Sequence, residues 1–330
     1  MIQKMMNCNY MGENFGRRLC GIAAAAFALL AVPAVSYGQD NAAYGGTAMG
    51  FLVRNTDPAS LGAGGTSLTG SGAAYSLFGN PAGMAFSGTK LDVAASYSSW
   101  QPDGASANVI DFGVAGSFGK FGICAGISYG MGAGYDIYDA SGQKSGTFSP
   151  NEMVAGAGLS WRIVKFLSVG VNLKYATEKL AEGSSYGTFA ADALVMGKFG
   201  DFRVTAGARN LGGKVKAADG TSFSIPSSVA AGVSFDHTFA GKHCLGAALN
   251  GDCYFEGGAV ASIGAGYTYN DLVSVRAGYS NASGKAPAAS FASIGAGVHF
   301  FGIRLDFAYL IASSDSPLAN TFSVGLGYSF

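Results

Sequence analysis

The sequence is short of charge and has no long apolar run. Asp, Glu, Lys and Arg make up 12% of its 330 residues, about half the roughly 25% usual in soluble domains. Mean hydropathy is nevertheless positive, at +0.27. Beyond the N-terminus, no apolar stretch approaches the ~18 residues that a spanning helix needs. A chain that is apolar overall but never continuously so is neither a helical membrane protein nor an ordinary soluble enzyme. The 20 bases balance the 20 acids, which leaves no basic excess for a nucleic-acid partner. Three histidines and five cysteines are scattered without a CxxC or other metal-ligand spacing, so no metal or cofactor is expected. Gly126-Ile127-Ser128-Tyr129-Gly130 matches G-x-S-x-G, but it lies inside an alternating stretch, without the helix that a nucleophile elbow requires. Gly62, Gly64 and Gly65 lack the following Lys-Ser/Thr of a phosphate loop. No catalytic residue is expected, and the chain does not read as an enzyme.

What is present begins with a leader. Arg17 and Arg18 precede the apolar run Ile22 to Val32, which Pro33 ends, and Ser36-Tyr37-Gly38 suits cleavage before Gln39. Residues 1–38 are therefore expected to be a signal peptide. Cys8 and Cys20 leave with it, while Cys124, Cys244 and Cys253 remain. Three thiols permit one disulfide, with Cys244–Cys253 the best pairing, but isolated cysteines acting as small apolar residues are the simpler reading.

Residues 39–88 are rich in Gly, Ala, Ser and Thr and carry no long alternation. Gly79-Asn80-Pro81-Ala82-Gly83 is a turn signal within them. By composition alone, this stretch is either a linker or a plug folded into a barrel lumen.

Residues 89–330 behave differently. The chain ends Phe322-Ser323-Val324-Gly325-Leu326-Gly327-Tyr328-Ser329-Phe330, large apolar side chains alternating with small ones. Successive strand side chains point to opposite faces, so one face is apolar and the other small and weakly polar. An edge strand this apolar invites aggregation in water; in a closed barrel its apolar face meets lipid. Similar alternation recurs in fourteen stretches, near 90–99, 108–118, 121–134, 152–161, 166–175, 186–197, 200–209, 227–236, 243–250, 258–269, 272–280, 290–300, 302–311 and 321–330. Six tight connections alternate with seven longer ones, as expected of an all-β, transmembrane antiparallel barrel of about 14 strands with both ends on one side. Aromatic residues gather at the strand ends, as at Phe118, Phe121, Trp161, Phe166, Phe300, Phe301, Tyr328 and Phe330, which matches the girdles of such barrels.

If the apolar parity faces outward, the inward set includes Asp92, Asp111, Asp192 and Asp306 with Lys174, Arg203, Arg209, Arg276 and Arg304. Mixed signs make neither a cation nor an anion selector. A charge network that ties strands to each other and to the lumen contents is the expectation.

Two resemblances add to this reading. The terminal strand, with Tyr328 and Phe330, resembles the insertion signal read by the barrel-assembly machinery, which implies that machinery and outer-membrane lipid as partners. Thr56 to Gly65, Ala73-Ala74-Tyr75 and Asn80-Pro81-Ala82-Gly83-Met84-Ala85 resemble the opening of the PorV/PorQ family, which is similar in turn to the FadL transporters. That resemblance implies a cell outer-membrane barrel whose N-terminal segment plugs the lumen, with Asn80, Pro81, Ala82 and Gly83 in the plug. It implies an accessory in type IX secretion or surface attachment, with secretion-system proteins or cargo C-terminal domains as partners. The alternative is a FadL-like transporter whose partner is a hydrophobic ligand.

Overall fold

The computed structural model describes residues 47–70, 73–100, 107–217, 220–314 and 316–330. The expected leader lies outside them. Fourteen strands close into an antiparallel barrel: β1 (Asp92–Trp100), β2 (Ala107–Phe118), β3 (Phe121–Met131), β6 (Asn151–Val164), β7 (Leu167–Ala181), β8 (Ser184–Phe199), β9 (Phe202–Gly212), β12 (Ser228–Phe239), β13 (His243–Tyr254), β14 (Ala259–Tyr269), β15 (Val273–Ser283), β16 (Phe291–Phe300), β17 (Ile303–Ile311) and β18 (Phe322–Ser329). Each pairs with its neighbour in the chain, and β1 pairs with β18, bringing Ala95 opposite Leu326 and Tyr97 opposite Val324. Closure pairs the backbone of the most apolar edge.

Alternation sets the sidedness of the wall. In β7, Val171 and Leu173 are 52% and 59% exposed on the outside, whereas Asn172 and Lys174 between them are each 2% exposed. Leu159, Ile123, Ile263 and Leu326 repeat the outward pattern on other strands. A continuous apolar wall of this extent has no place in water; against hydrocarbon it is the buried face.

Tight turns join the strands at one end, here the short-turn end. At Asn270-Asp271 both residues have positive φ, 53° and 55°, the geometry of a type I′ hairpin turn. The longer connections at the other end hold structure that the alternation did not reveal. β4 (Tyr135–Tyr138) pairs with β5 (Lys144–Phe148), and β10 (Val215–Lys216) with β11 (Ser222–Phe223), each as a separate hairpin. The connection expected over 176–185 shrinks to Glu182-Gly183, because β7 and β8 continue pairing beyond the apolar stretch. There, polar bonds such as Thr177 Oγ1 to Tyr186 O (2.8 Å) replace the apolar pattern.

Cys124, Cys244 and Cys253 are free thiols. Cys244 and Cys253 lie near opposite ends of β13, too far apart along one extended strand to bridge.

Candidate functional site: the lumen and its mouth

Residues 47–70 and 73–88 run along the inner faces of the strands, and their own sequence explains their short helical turns. Asp57 caps α1 (Pro58–Gly62), accepting from Ala59 N (3.1 Å) and Ser60 N (3.3 Å), with Pro58 at the first helical position. Asn80 does the same for the 3-10 turn Pro81–Phe86, its Oδ1 accepting from Ala82 N at 2.9 Å. The Asn80–Gly83 segment is thus a capped helical turn, with Asn80 at φ −130°, and not a glycine-dependent reverse turn. The Asp57-Pro58 pair was a legible helix start in a stretch that otherwise read as featureless.

Two arms of this segment dock on different parts of the wall. The first, residues 56–66, lies on β14 to β18. Gly64, at φ +72°, sits where an added Cβ would be 2.5 Å from Ile263 O, and its N–H donates to Ser293 Oγ at 2.9 Å. Leu61 packs with Ala308 and Leu310. The second arm, residues 74–86, lies on the opposite run of strands. Leu77 and Met84 pack with Ala115 and Cys124, Ser168 Oγ donates to Ala82 O (2.8 Å), and Asn172 Nδ2 donates to Leu77 O (2.8 Å). Between the arms, Asn80 Nδ2 reaches Leu68 O at 2.5 Å and Thr205 Oγ1 at 3.1 Å. The small inward residues of the strands are what let backbone meet backbone here.

The structure gathers the inward charges into local pairs. Lys174 Nζ lies 2.9 Å from Asp192 Oδ1 and 2.6 Å from Asn210 Oδ1. Asn210 N donates to Asp192 Oδ1 (2.8 Å), and Asn172 Nδ2 to its Oδ2 (3.2 Å). Asn210 adopts φ +52° at a register shift between β8 and β9, a bulge that frees its N–H for the carboxylate. Arg209 pairs with Asp252 (3.6 Å) and donates to Phe78 O (2.9 Å). At the short-turn end Arg304 pairs with Asp92 (3.0 Å), which also accepts from Ala74 N (2.7 Å), and Arg276 pairs with Asp306 (2.7 Å). Arg203 pairs with Asp236, and Asp111 accepts from Ser96 Oγ at 3.1 Å. Tyr328 and Phe330 stack edge to face at 4.5 Å, and Phe330 N donates to Leu91 O.

At the long-loop end the lumen widens into a cavity of about 420 Å³. Phe51, Leu61, Leu68, Phe78, Trp100 and Phe291 are among its apolar lining residues. Among its charged lining residues, Arg54 pairs with Glu152 and Arg209 with Asp252. The Arg54 guanidinium also lies 6.0 Å from the Trp100 ring centroid, a cation–π arrangement. Arg54, Trp100, Glu152 and Asp252 were not among the residues singled out by sequence. The signal for Arg54 was its isolation, since it is the one base in the glycine-rich stretch 39–88.

Comparison with known proteins follows from this geometry. No protein-family model matches the chain, and no curated protein matches it. Solved barrels do. The toluene transporter TbuX of Ralstonia pickettii superposes with a TM-score of 0.57 at 14% identity, covering 84% of this chain and 99% of that one. The toluene transporter TodX of Pseudomonas putida gives 0.55 at 15%, covering 82% and 97%. A FadL homologue of Pseudomonas aeruginosa gives 0.51 at 15%, covering 84% and 99%. This chain has the FadL-like barrel fold. At such identities the likeness is one of fold alone. The first two are toluene transporters; the likeness lends nothing to a PorV/PorQ assignment in particular.

Proposed function

We propose that the protein is an outer-membrane passage for small hydrophobic molecules, taken up at the long-loop end. The observation that carries this reading is the apolar mouth cavity around Trp100, Phe51 and Phe291. Its volume of about 420 Å³ falls in the ~300–1,000 Å³ range of small-molecule sites. Two of the charge pairs beside it, Arg54–Glu152 and Arg209–Asp252, are already formed across the lumen, so an apolar ligand need not separate them. The toluene transporters with the same fold support monoaromatic compounds as the first class to test. The export-accessory reading has no comparable support in the cavity or in these similarities.

The test is uptake of labelled toluene by proteoliposomes. Uptake above protein-free vesicles is expected, with a fall when Phe291→Arg places a charge in the mouth. Rates equal to those of empty vesicles would refute the proposal.

A further inference from the structure

The outer wall is not evenly covered. Ala125 on β3 lies opposite Ala157 on β6, and the same row continues through Leu173 to Ala191. Three small side chains in one row leave the strand backbone less covered than in the next row, which carries Ile123, Leu159 and Val171. The result is an apolar groove of about 670 Å³ on the lipid-facing side. It runs to Phe118 and Leu91 at the level of the aromatic girdle. The span from Ala125 to Phe121 on that girdle is about 13 Å along the strand. Below the groove β2, β3 and β6 pair in unbroken register. It is therefore a recess in a closed wall and not an opening into the lumen.

The short turns at that end of the groove carry bases without acids to match. Lys120 is on the β2–β3 turn, Arg162 near the end of β6, Lys165 on the turn after it, and Lys198 near the end of β8. These turns are tied together. Arg162 N donates to Lys120 O (2.7 Å), Arg162 Nη2 to Gly119 O (2.9 Å), and Lys198 N to Phe166 O (2.9 Å). Among the described residues, none of the four bases is ion-paired. Asp201, on the β8–β9 turn, stands 2.8 Å from His237 instead. Unpaired bases at a membrane surface attract anionic headgroups. Trp161, stacked on Phe121 at 6.4 Å, marks the level of that surface.

We infer that this face holds one anionic phospholipid from the leaflet at the short-turn end, its phosphate on Lys120, Arg162 and Lys165 and an acyl chain in the groove. Neither half selects it alone. An apolar recess takes any chain, and a basic rim takes any anion; side by side they favour a lipid that has both. Charge also argues against a second copy of the barrel, whose matching face would bring the same bases against these. The inference rests on the membrane-spanning barrel but not on hydrophobic transport, and toluene uptake by wild-type vesicles tests that reading separately.

Trp161, on the same face of β6 as Leu159, supplies the probe. In a Trp100→Phe variant it is the sole tryptophan. Phosphatidylcholine proteoliposomes of this variant would carry a small fraction of lipid with a dibrominated acyl chain, either phosphatidylglycerol or phosphatidylcholine. At equal mole fraction, quenching of Trp161 is expected to be several-fold stronger for the brominated phosphatidylglycerol. Adding Lys120→Gln and Lys165→Gln should abolish that preference while quenching by brominated phosphatidylcholine persists. Ala157→Phe, which fills the groove without touching a charge, should reduce the preference several-fold. Retained heat-modifiable mobility would show that each barrel is folded. Equal quenching by the two lipids, or a preference left unchanged by the paired lysine substitutions or by Ala157→Phe, would overturn the inference. Quenching by neither lipid, together with a crosslinked dimer, would assign the face to a second copy and overturn it as well.

Discussion

Lys174 Nζ lies within 2.9 Å of the Asp192 carboxylate, and neither side chain reaches solvent. The pair sits at the β8–β9 bulge, with Asn210 and Asn172 completing its hydrogen bonds. Removing one partner strands the other charge, whereas removing both does not. Lys174→Met should therefore destabilise the refolded barrel by about 3–5 kcal/mol, and Lys174→Met with Asp192→Leu by much less. Urea unfolding followed by tryptophan fluorescence, with both single variants measured, gives the comparison.

Gly278 faces Gly64 so closely that a Cβ on Gly278 would be 2.3 Å from Gly64 N. Both sides of that contact are backbone and cannot yield as a flexible side chain would. Gly278→Ala should cost about 1–3 kcal/mol through overpacking. The effect should appear first in the N-terminal segment. Limited proteolysis should release residues 47–70 sooner in the variant, while heat-modifiable mobility still reports a closed barrel.

Trp100 borders the mouth cavity, whereas Trp161 stands 47% exposed on the outer wall. An aromatic ligand entering the mouth should change Trp100 emission and leave Trp161 unaffected. Titration with toluene should thus shift the fluorescence of a Trp161→Phe variant but not that of Trp100→Phe. A shift confined to the variant that retains Trp161 would place the ligand on the lipid-facing surface instead.

Leu173 projects from the middle of β7 and is 59% exposed on the outside. If that face meets hydrocarbon, Leu173→Arg should cost about 2–4 kcal/mol in bilayers. The same change on a soluble surface is usually within about 0.5 kcal/mol. Unfolding of the variant in lipid vesicles measures the difference.

The wall of this barrel was open to sequence reading because one rule governs it. Period-two alternation marks all fourteen strands, and its inward parity takes in Lys174 and Asp192. That rule fails where side chains stop choosing between lipid and lumen. Beyond the apolar band, β7 and β8 continue through Thr177 and Tyr186, whose pairing rests on hydrogen bonds and carries no hydropathy signature. The hairpins β4–β5 and β10–β11 escaped notice for the same reason. The mouth was harder still. Arg54, Trp100 and Glu152 belong to three separate stretches, and only closure of the barrel brings them together. Asn210 had no signal either, since a bulge is a property of two strands in register.

Everything above depends on which side of the wall faces hydrocarbon. The direct measurement is nitroxide scanning of residues 169–175 in proteoliposomes, with oxygen and a water-soluble nickel chelate as relaxing agents. The account predicts oxygen-accessibility maxima at Val171, Leu173 and Tyr175, with labels at Gly170, Asn172 and Lys174 shielded from both agents. Strong relaxation of the Val171 and Leu173 labels by the nickel chelate would contradict it.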